Sequence, residues 1–214
     1  MTDSSKTLIA ALLDRSGSMS TSVEATEDGW RELVSEQRAN PGRCQVTLAQ
    51  FDDEYEVVYP ITDIEAVPEF ALEPRGTTAL LDAAGRLITE IGEQLSALPE
   101  DQRPGQVICL IMTDGMENAS QTWTWDAVKT LITQQREVYG WEFIFLGADI
   151  DAIRVASRMG MDSRYAMNFD KRNYDAQRGA FKSTHEAISY RRRARSSDVG
   201  EGFTDDDRRK AMGQ

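Results

Sequence analysis

The chain has 214 residues, 40% hydrophobic and 28% charged, enough for one large core of a globular protein without disulfide or metal staples. Its formal net charge of -12 argues against nucleic acid or anionic membrane as general partners and favours divalent cations or basic proteins. It has no apolar run of about 18 residues, and "MTDSSKTL" lacks the basic-then-apolar order of a secretion leader, so a cytoplasmic protein is expected.

In chain order, "KTLIAALLD" is a near-continuous apolar run ending at Asp14, the pattern of a strand covered on both faces. "SVEATEDGWRELVSEQRAN" has helical spacing, with Val23, Trp30, Leu33 and Val34 on one face, and Asn40-Pro41-Gly42 stops it. "CQVTLAQFD" reads as a second strand, and the turn "DDE" joins it to "YEVVYPI" too briefly for anything but an antiparallel hairpin. A loop, "DIEAVPEFALEPRGTT", leads to the clearest helix, "ALLDAAGRLITEIGEQLSAL". "QVICLIMTDG" is another buried strand, ending at Asp114; "TWDAVKTLITQQREVYG" a helix closed by Gly140; "WEFIFLGA" a strand; "DIDAIRVASRMG" a short helix; "SRYAMNFD" an edge strand. From Asn173 a helix carries Tyr174, Phe181 and Ile188 at seven-residue steps and is expected to dock back on the sheet. The pattern predicts one α/β domain over 1–190 and a charged, disordered tail over 191–214. The sheet should be open and mostly parallel, with helices on both faces and one antiparallel edge strand.

Ligands of such sheets bind beyond the carboxyl ends of the strands. Two strands end in an aspartate, Asp14 and Asp114, and if adjacent they lie about 4.8 Å apart. Two carboxylates that close need a cation between them or a shared proton. After Asp14, "DRSGSMS" offers the hydroxyls of Ser16 and Ser18, with Gly17 freeing the bend. Taken alone, the three residues also fit the capped start of a helix. As ligands they are hard oxygen donors, suited to Mg²⁺ first, with Mn²⁺ or Ca²⁺ as alternatives, and too few to fill six positions.

"DRSGSMS" resembles the DxSxS motif of the von Willebrand factor A domain family. The family's second element, a threonine just before a helix, is matched by Thr78 in "RGTTALLDA", and its third, a strand-ending aspartate, by Asp114 in "IMTDG". The resemblance covers about residues 6 to 170 and implies a doubly wound, Rossmann-like six-stranded fold with strand order 3-2-1-4-5-6. It implies a metal-ion-dependent adhesion site in which Ser16, Ser18 and Thr78 touch a divalent cation directly while Asp14 and Asp114 orient it through water. Cys44 and Cys109 would then flank the first strand on either side, about 9.6 Å apart, and remain free thiols.

Several neighbours have plainer readings. Thr77 is expected to cap the helix starting at Ala79, and Asp82 to be a first-turn acid favoured by the helix dipole. Glu117 and Asn118 belong to a solvated loop, Asp52 and Asp53 to a turn, and His185 to a helix surface. One of Trp123 and Trp125 should pack in the core. "RRRAR", from Arg191 to Arg195, reads as solvated tail.

The expected function is a non-enzymatic, metal-dependent protein-binding module in which an Asp or Glu of a partner completes the ion. Loops carrying Met19, Ser20, Glu117 and Trp123 would set partner choice. Intracellular members of the family in bacteria and phages suggest an AAA+ ATPase or an assembly component as partner. The alternative is a Mg²⁺-dependent phosphohydrolase; against it, Ser16 stands where a second acid is needed and no lysine follows at a suitable strand end.

Overall fold

The computed structural model describes residues 1–194, 200 and 202–214. Six strands form one sheet: β1 (Asp3–Asp14), β2 (Arg43–Phe51), β3 (Tyr55–Asp63), β4 (Pro104–Thr113), β5 (Glu142–Gly147) and β6 (Ala166–Asn168), in the order β3-β2-β1-β4-β5-β6. All neighbours pair in parallel except β2 and β3, the hairpin. β1 and β4 are central, which is why their sequences are apolar throughout: each is covered on both faces. Successive side chains of β1 alternate between two cores. Ile9, Ala11 and Leu13 pack on one face with Trp30, Leu33, Phe181 and Ile188; Leu8, Ala10 and Leu12 pack on the other with Ala84, Leu87, Ile88 and Val128.

The first face is covered by α1 (Val23–Ala39) and α5 (Tyr174–Arg193), the second by α2 (Leu80–Ser96), α3 (Trp125–Tyr139) and α4 (Ala152–Arg158). Gly140 closes α3 in the left-handed conformation, as its position predicts. Cys44 and Cys109 lie buried and free on the two strands that flank β1. Tyr174 departs from the heptad expectation. It is 40% exposed, and its hydroxyl donates to Asp28 at 2.6 Å, so of the three heptad positions Phe181 and Ile188 enter the core.

The C-terminal expectation is corrected. α5 runs past residue 190 to Arg193, and a further helix, α6 (Asp205–Ala211), follows, opened by a capping box between Thr204 and Asp207. Phe203 and Ala211 enter the first core, and the Asp170 amide donates to the Ala211 carbonyl at 2.9 Å. Only these two apolar residues of the charged segment enter that core, which is why no periodicity announced it. The basic run is not a solvated tail either. Arg191 pairs with Glu142 at 2.8 Å and lies over the Tyr165 ring, and Arg192 donates to the carbonyls of Gln37, Pro41 and Gly42. Arg195 falls outside the described residues.

α1 and α5 meet through Gly29, where a Cβ would fall inside the Phe181 ring. Phe181 is 1% exposed and has nowhere to go. Gly29→Ala gains about 1 kcal/mol of helix propensity but overpacks a filled interface at about 1–3 kcal/mol or more. Denaturant unfolding is expected to show the variant less stable than wild type; a gain in stability would mean that the helices can separate.

Candidate functional site

β1 and β4 are adjacent and parallel, with Leu13 opposite Met112, so both chains leave the sheet at the same edge. Asp14 ends β1 with its carboxylate fully buried. One oxygen accepts the Ser16 amide at 2.6 Å and the other the Thr113 hydroxyl at 2.6 Å. The segment Gly17–Thr21 then forms a turn of 3-10 helix, which brings Ser18 back over Ser16. Their hydroxyl oxygens are 3.1 Å apart, and that of Ser18 donates to Asp114 Oδ1 at 2.6 Å. Thr78 arrives from the other side, 3% exposed. A Cβ added at Gly115 would stand 3.1 Å from the Thr78 hydroxyl and 3.8 Å from that of Ser18, so both border the same small space beside the Gly115 backbone. The structure thus brings Asp14, Ser16, Ser18, Thr78 and Asp114 to one edge of the sheet.

The loop ahead of Thr78 is tied to the β1 loop by backbone bonds, Arg75 amide to Arg15 carbonyl at 2.8 Å and Gly17 amide to Gly76 carbonyl at 3.3 Å. Gly76 has φ +66°, and any Cβ there would collide with the Asp53 carboxylate, so this close approach requires glycine. Below it, Asp52 is not a plain turn residue. It is 1% exposed and accepts from Arg15 Nε at 3.1 Å and Arg75 Nε at 2.7 Å. Burial pushes its pKa up, but the hydrogen bonds from Arg75 and the Glu54 amide and the charges of both arginines outweigh burial and hold it below the usual value.

The start of α2 is capped from a distance. Its N-cap position is Ala79, not Thr77, which is exposed and turned toward Asp53. The Leu81 amide donates to Glu117 at 2.9 Å, the Asp82 amide to the Ser120 hydroxyl at 3.0 Å, and the Thr78 amide to the Asn118 side chain at 3.0 Å. In return the Asp82 carboxylate accepts the amides of Gln121, Thr122 and Trp123. Asp82 is the first-turn acid expected, and together Glu117, Asn118 and Asp82 lock the β4–α3 loop onto α2 in place of the freely solvated loop expected of the first two. Met19 is completely buried, and Trp123 packs over Gly85. Of the residues expected to face a partner, Ser20 is exposed, and Met116, unforeseen, is 70% exposed beside Gly115.

Sequence reasoning also missed Lys171. It lies in the loop after β6, and its ammonium sits 2.9 Å from Asp114 Oδ2 and 2.9 Å from Asp149 Oδ2. Burial disfavours the charge, yet the bonds to Asp114 and Asp149 outweigh it and raise the pKa. A lysine does, then, follow a strand end; the rule that ligands gather at strand ends, extended to "FDKRN", would have found it.

The donor set fits a hard divalent cation in two respects. Hydroxyl and carboxylate oxygens converge on a space that a single Cβ at Gly115 would invade. Asp14 carries a buried charge with no cationic partner among the described residues, and burial raises its pKa to about 6 against the bonds from Thr113 and Ser16. No group of three or more His, Cys, Asp or Glu is placed to hold a metal among the described residues, so any ion here would depend on the hydroxyl oxygens.

The chain has the fold of a von Willebrand factor type A domain: a six-stranded mixed sheet with one antiparallel edge strand between layers of helices. The family model for that domain matches residues 9–183, and the chain belongs to this family. No curated protein matches it. Among solved structures it resembles a von Willebrand factor type A protein from Catenulispora acidiphila (TM-score 0.59, 14% identity, covering 84% of this chain and 42% of that one). It also resembles the open form of the pilus adhesin SpaC from Lactobacillus rhamnosus GG (0.62, 14%, covering 88% and 30%). The vWF domain of the pilus tip protein Mfa5 from Porphyromonas gingivalis matches over 91% of this chain and 98% of its own (0.59, 11%). These identities establish a shared fold, and the chain spans less than half of the first two proteins. No helix among the described residues is long and apolar enough to cross a membrane.

Asp14 makes stability depend on pH in an identifiable direction. Its folded pKa of about 6 lies above the ordinary 3.8, so the folded state holds the proton more tightly than the unfolded one. Stability is therefore lost as pH rises from about 4 through 6, by on the order of 3 kcal/mol in chelator. The difference in unfolding free energy between Asp14→Asn and wild type is expected to widen over that window and level off above it. A difference flat in pH would show that Asp14 is ionised at no cost.

Proposed function

We propose that the chain is a protein-binding module whose contact is a divalent cation, Mg²⁺ in the first instance. Ser16, Ser18 and Thr78 would hold the ion directly, with Asp14 and Asp114 orienting it through water. The ion, when bound, supplies a positive centre with a coordination position open to the carboxylate of a partner's Asp or Glu. The single observation that carries this reading is the meeting of hydroxyls from two distant loops beside a buried, cation-less Asp14. Neutral hydroxyl ligands leave more positive charge on an ion than carboxylates would, which favours an acidic visitor. Ser20 and Met116, exposed around the site, are the side chains placed to touch that partner. The adhesins among its structural neighbours make a protein partner the natural class. An AAA+ ATPase or an assembly component in the cytoplasm of a bacterium or phage-infected cell is the specific expectation.

A phosphohydrolase is favoured by one observation only, Lys171 beside Asp114. Against it, both oxygens of Asp14 are engaged and Ser16 occupies the place of the proton-donating acid. Release of p-nitrophenol from its phosphate ester in Mg²⁺ is expected to stay at background.

Titration calorimetry with Mg²⁺ and Mn²⁺ tests the main reading. Asp14→Ala is expected to weaken binding by about 100-fold while circular dichroism stays unchanged. An Asp14→Ala protein that held Mn²⁺ as tightly as wild type would sink it. Pull-down of partners with and without EDTA should then give bands that vanish in chelator and in Asp14→Ala.

A further inference from the structure

Lys171 is 12% exposed and reaches Asp114, whose side chain is fully buried, from the opposite side to Ser18. Asp114 Oδ1 faces the hydroxyls, while Oδ2 faces the ammonium. The loop that carries Lys171 is fixed at several points. Its carbonyl accepts the Ser22 hydroxyl at 3.3 Å, and the preceding Asp170 amide is tied to α6. The second carboxylate on Lys171 is Asp149, 57% exposed, on a residue held at φ 54°, a conformation uncommon outside glycine. A fixed cation thus bridges a buried acid of the candidate site and a solvated acid outside it.

Resting on the cation-binding reading above, we propose that Lys171 is a built-in counter-ion. It holds Asp114 and Asp149 together when no divalent ion is bound and keeps Asp149 alone when one enters. Two consequences follow from charge alone. An ammonium already neutralising Asp114 opposes a second, doubly charged cation on the same carboxylate, so Lys171 weakens divalent binding. Asp149 offers Lys171 a partner it keeps in both states, so losing Asp149 leaves the ammonium on Asp114 and weakens divalent binding further. The pair sets an ion affinity and lets the ion-free protein keep the site assembled.

The test uses the full chain and Mn²⁺ alone, read by calorimetry and by the rise in unfolding temperature on adding ion. Lys171→Met is expected to tighten Mn²⁺ binding on the order of ten-fold and to lower the unfolding temperature in EDTA. Asp149→Asn, a change at an exposed side chain, is expected to weaken Mn²⁺ binding several-fold. The double variant should behave like Lys171→Met, since Asp149 acts only through the lysine. If wild type binds Mn²⁺ and neither single variant changes its affinity, or if Asp149→Asn has the same effect with and without Lys171, the counter-ion role is overturned while the cation site stands. If neither wild type nor Lys171→Met binds Mn²⁺ at millimolar concentration, both fall together.

Discussion

The structure turns on one buried carboxylate. Parallel pairing of β1 with β4 brings both strands out of the sheet at the same edge, and Asp14 ends β1 there with no access to solvent. An ionised group in such a place is expensive unless hydrogen-bonded and compensated. The hydrogen bonds come from the two elements that the pairing itself brings together, the Ser16 amide one turn on and the Thr113 hydroxyl at the end of β4. Among the described residues no cationic side chain pairs with it. Asp52, one strand away and equally buried, shows the contrast. It has two arginines, and its pKa moves down instead of up. The same chain, in neighbouring loops, gives one buried carboxylate two arginines and the other only neutral hydrogen-bond donors among the described residues.

The remaining oxygens are placed by elements that cannot drift independently. The β4–α3 loop caps α2 through Glu117, Asn118 and Ser120, and α2 holds that loop through Asp82, which ties Thr78 to the loop that follows Asp114. On the other side the Arg75 and Gly76 backbone is stitched to the β1 loop, which fixes Thr78 relative to Ser16 and Ser18. Each acceptor in these clasps answers a helix or turn amide that would otherwise lack a partner. The site is therefore pre-organised by backbone satisfaction, independently of any ion.

What the sequence made legible was what is local or periodic. Continuous apolar runs marked the central strands, the three-residue turn marked the hairpin, and three short motifs marked the five oxygen-bearing residues in the right order. What escaped it was contact between segments far apart in the chain. Glu117 and Ser120 lie about forty residues from the amides they cap, a range at which no capping rule operates. Met19 looked like a loop residue because its burial depends on a turn of 3-10 helix five residues long. The final helix escaped because its docking joins the apolar side chains of Phe203 and Ala211 to polar contacts with distant residues, Ser183 to Asp207 and Arg208 to the Ala166 carbonyl, in a segment whose charge pattern is that of a solvated tail. Lys171 escaped because an ammonium is not a ligand, so a search for oxygen donors passes over the group that pairs with one of them.

The charge of the whole molecule bears on how an acidic partner could be recognised. At -12 the chain's long-range field opposes an approaching carboxylate, and physiological salt screens that field beyond about 8 Å. Attraction must then arise inside that distance, where a centre bounded by three hydroxyls and two carboxylates, one of them already shared with Lys171, presents local positive charge once an ion is present. Electrostatic steering and electrostatic recognition have opposite signs here. The first keeps acidic proteins away in general, while the second, with the proposed ion bound, would accept a carboxylate that arrives in register. With the proposed cation-dependent contact, an acidic domain would be selective for that reason: shape must bring the partner close before charge can reward it.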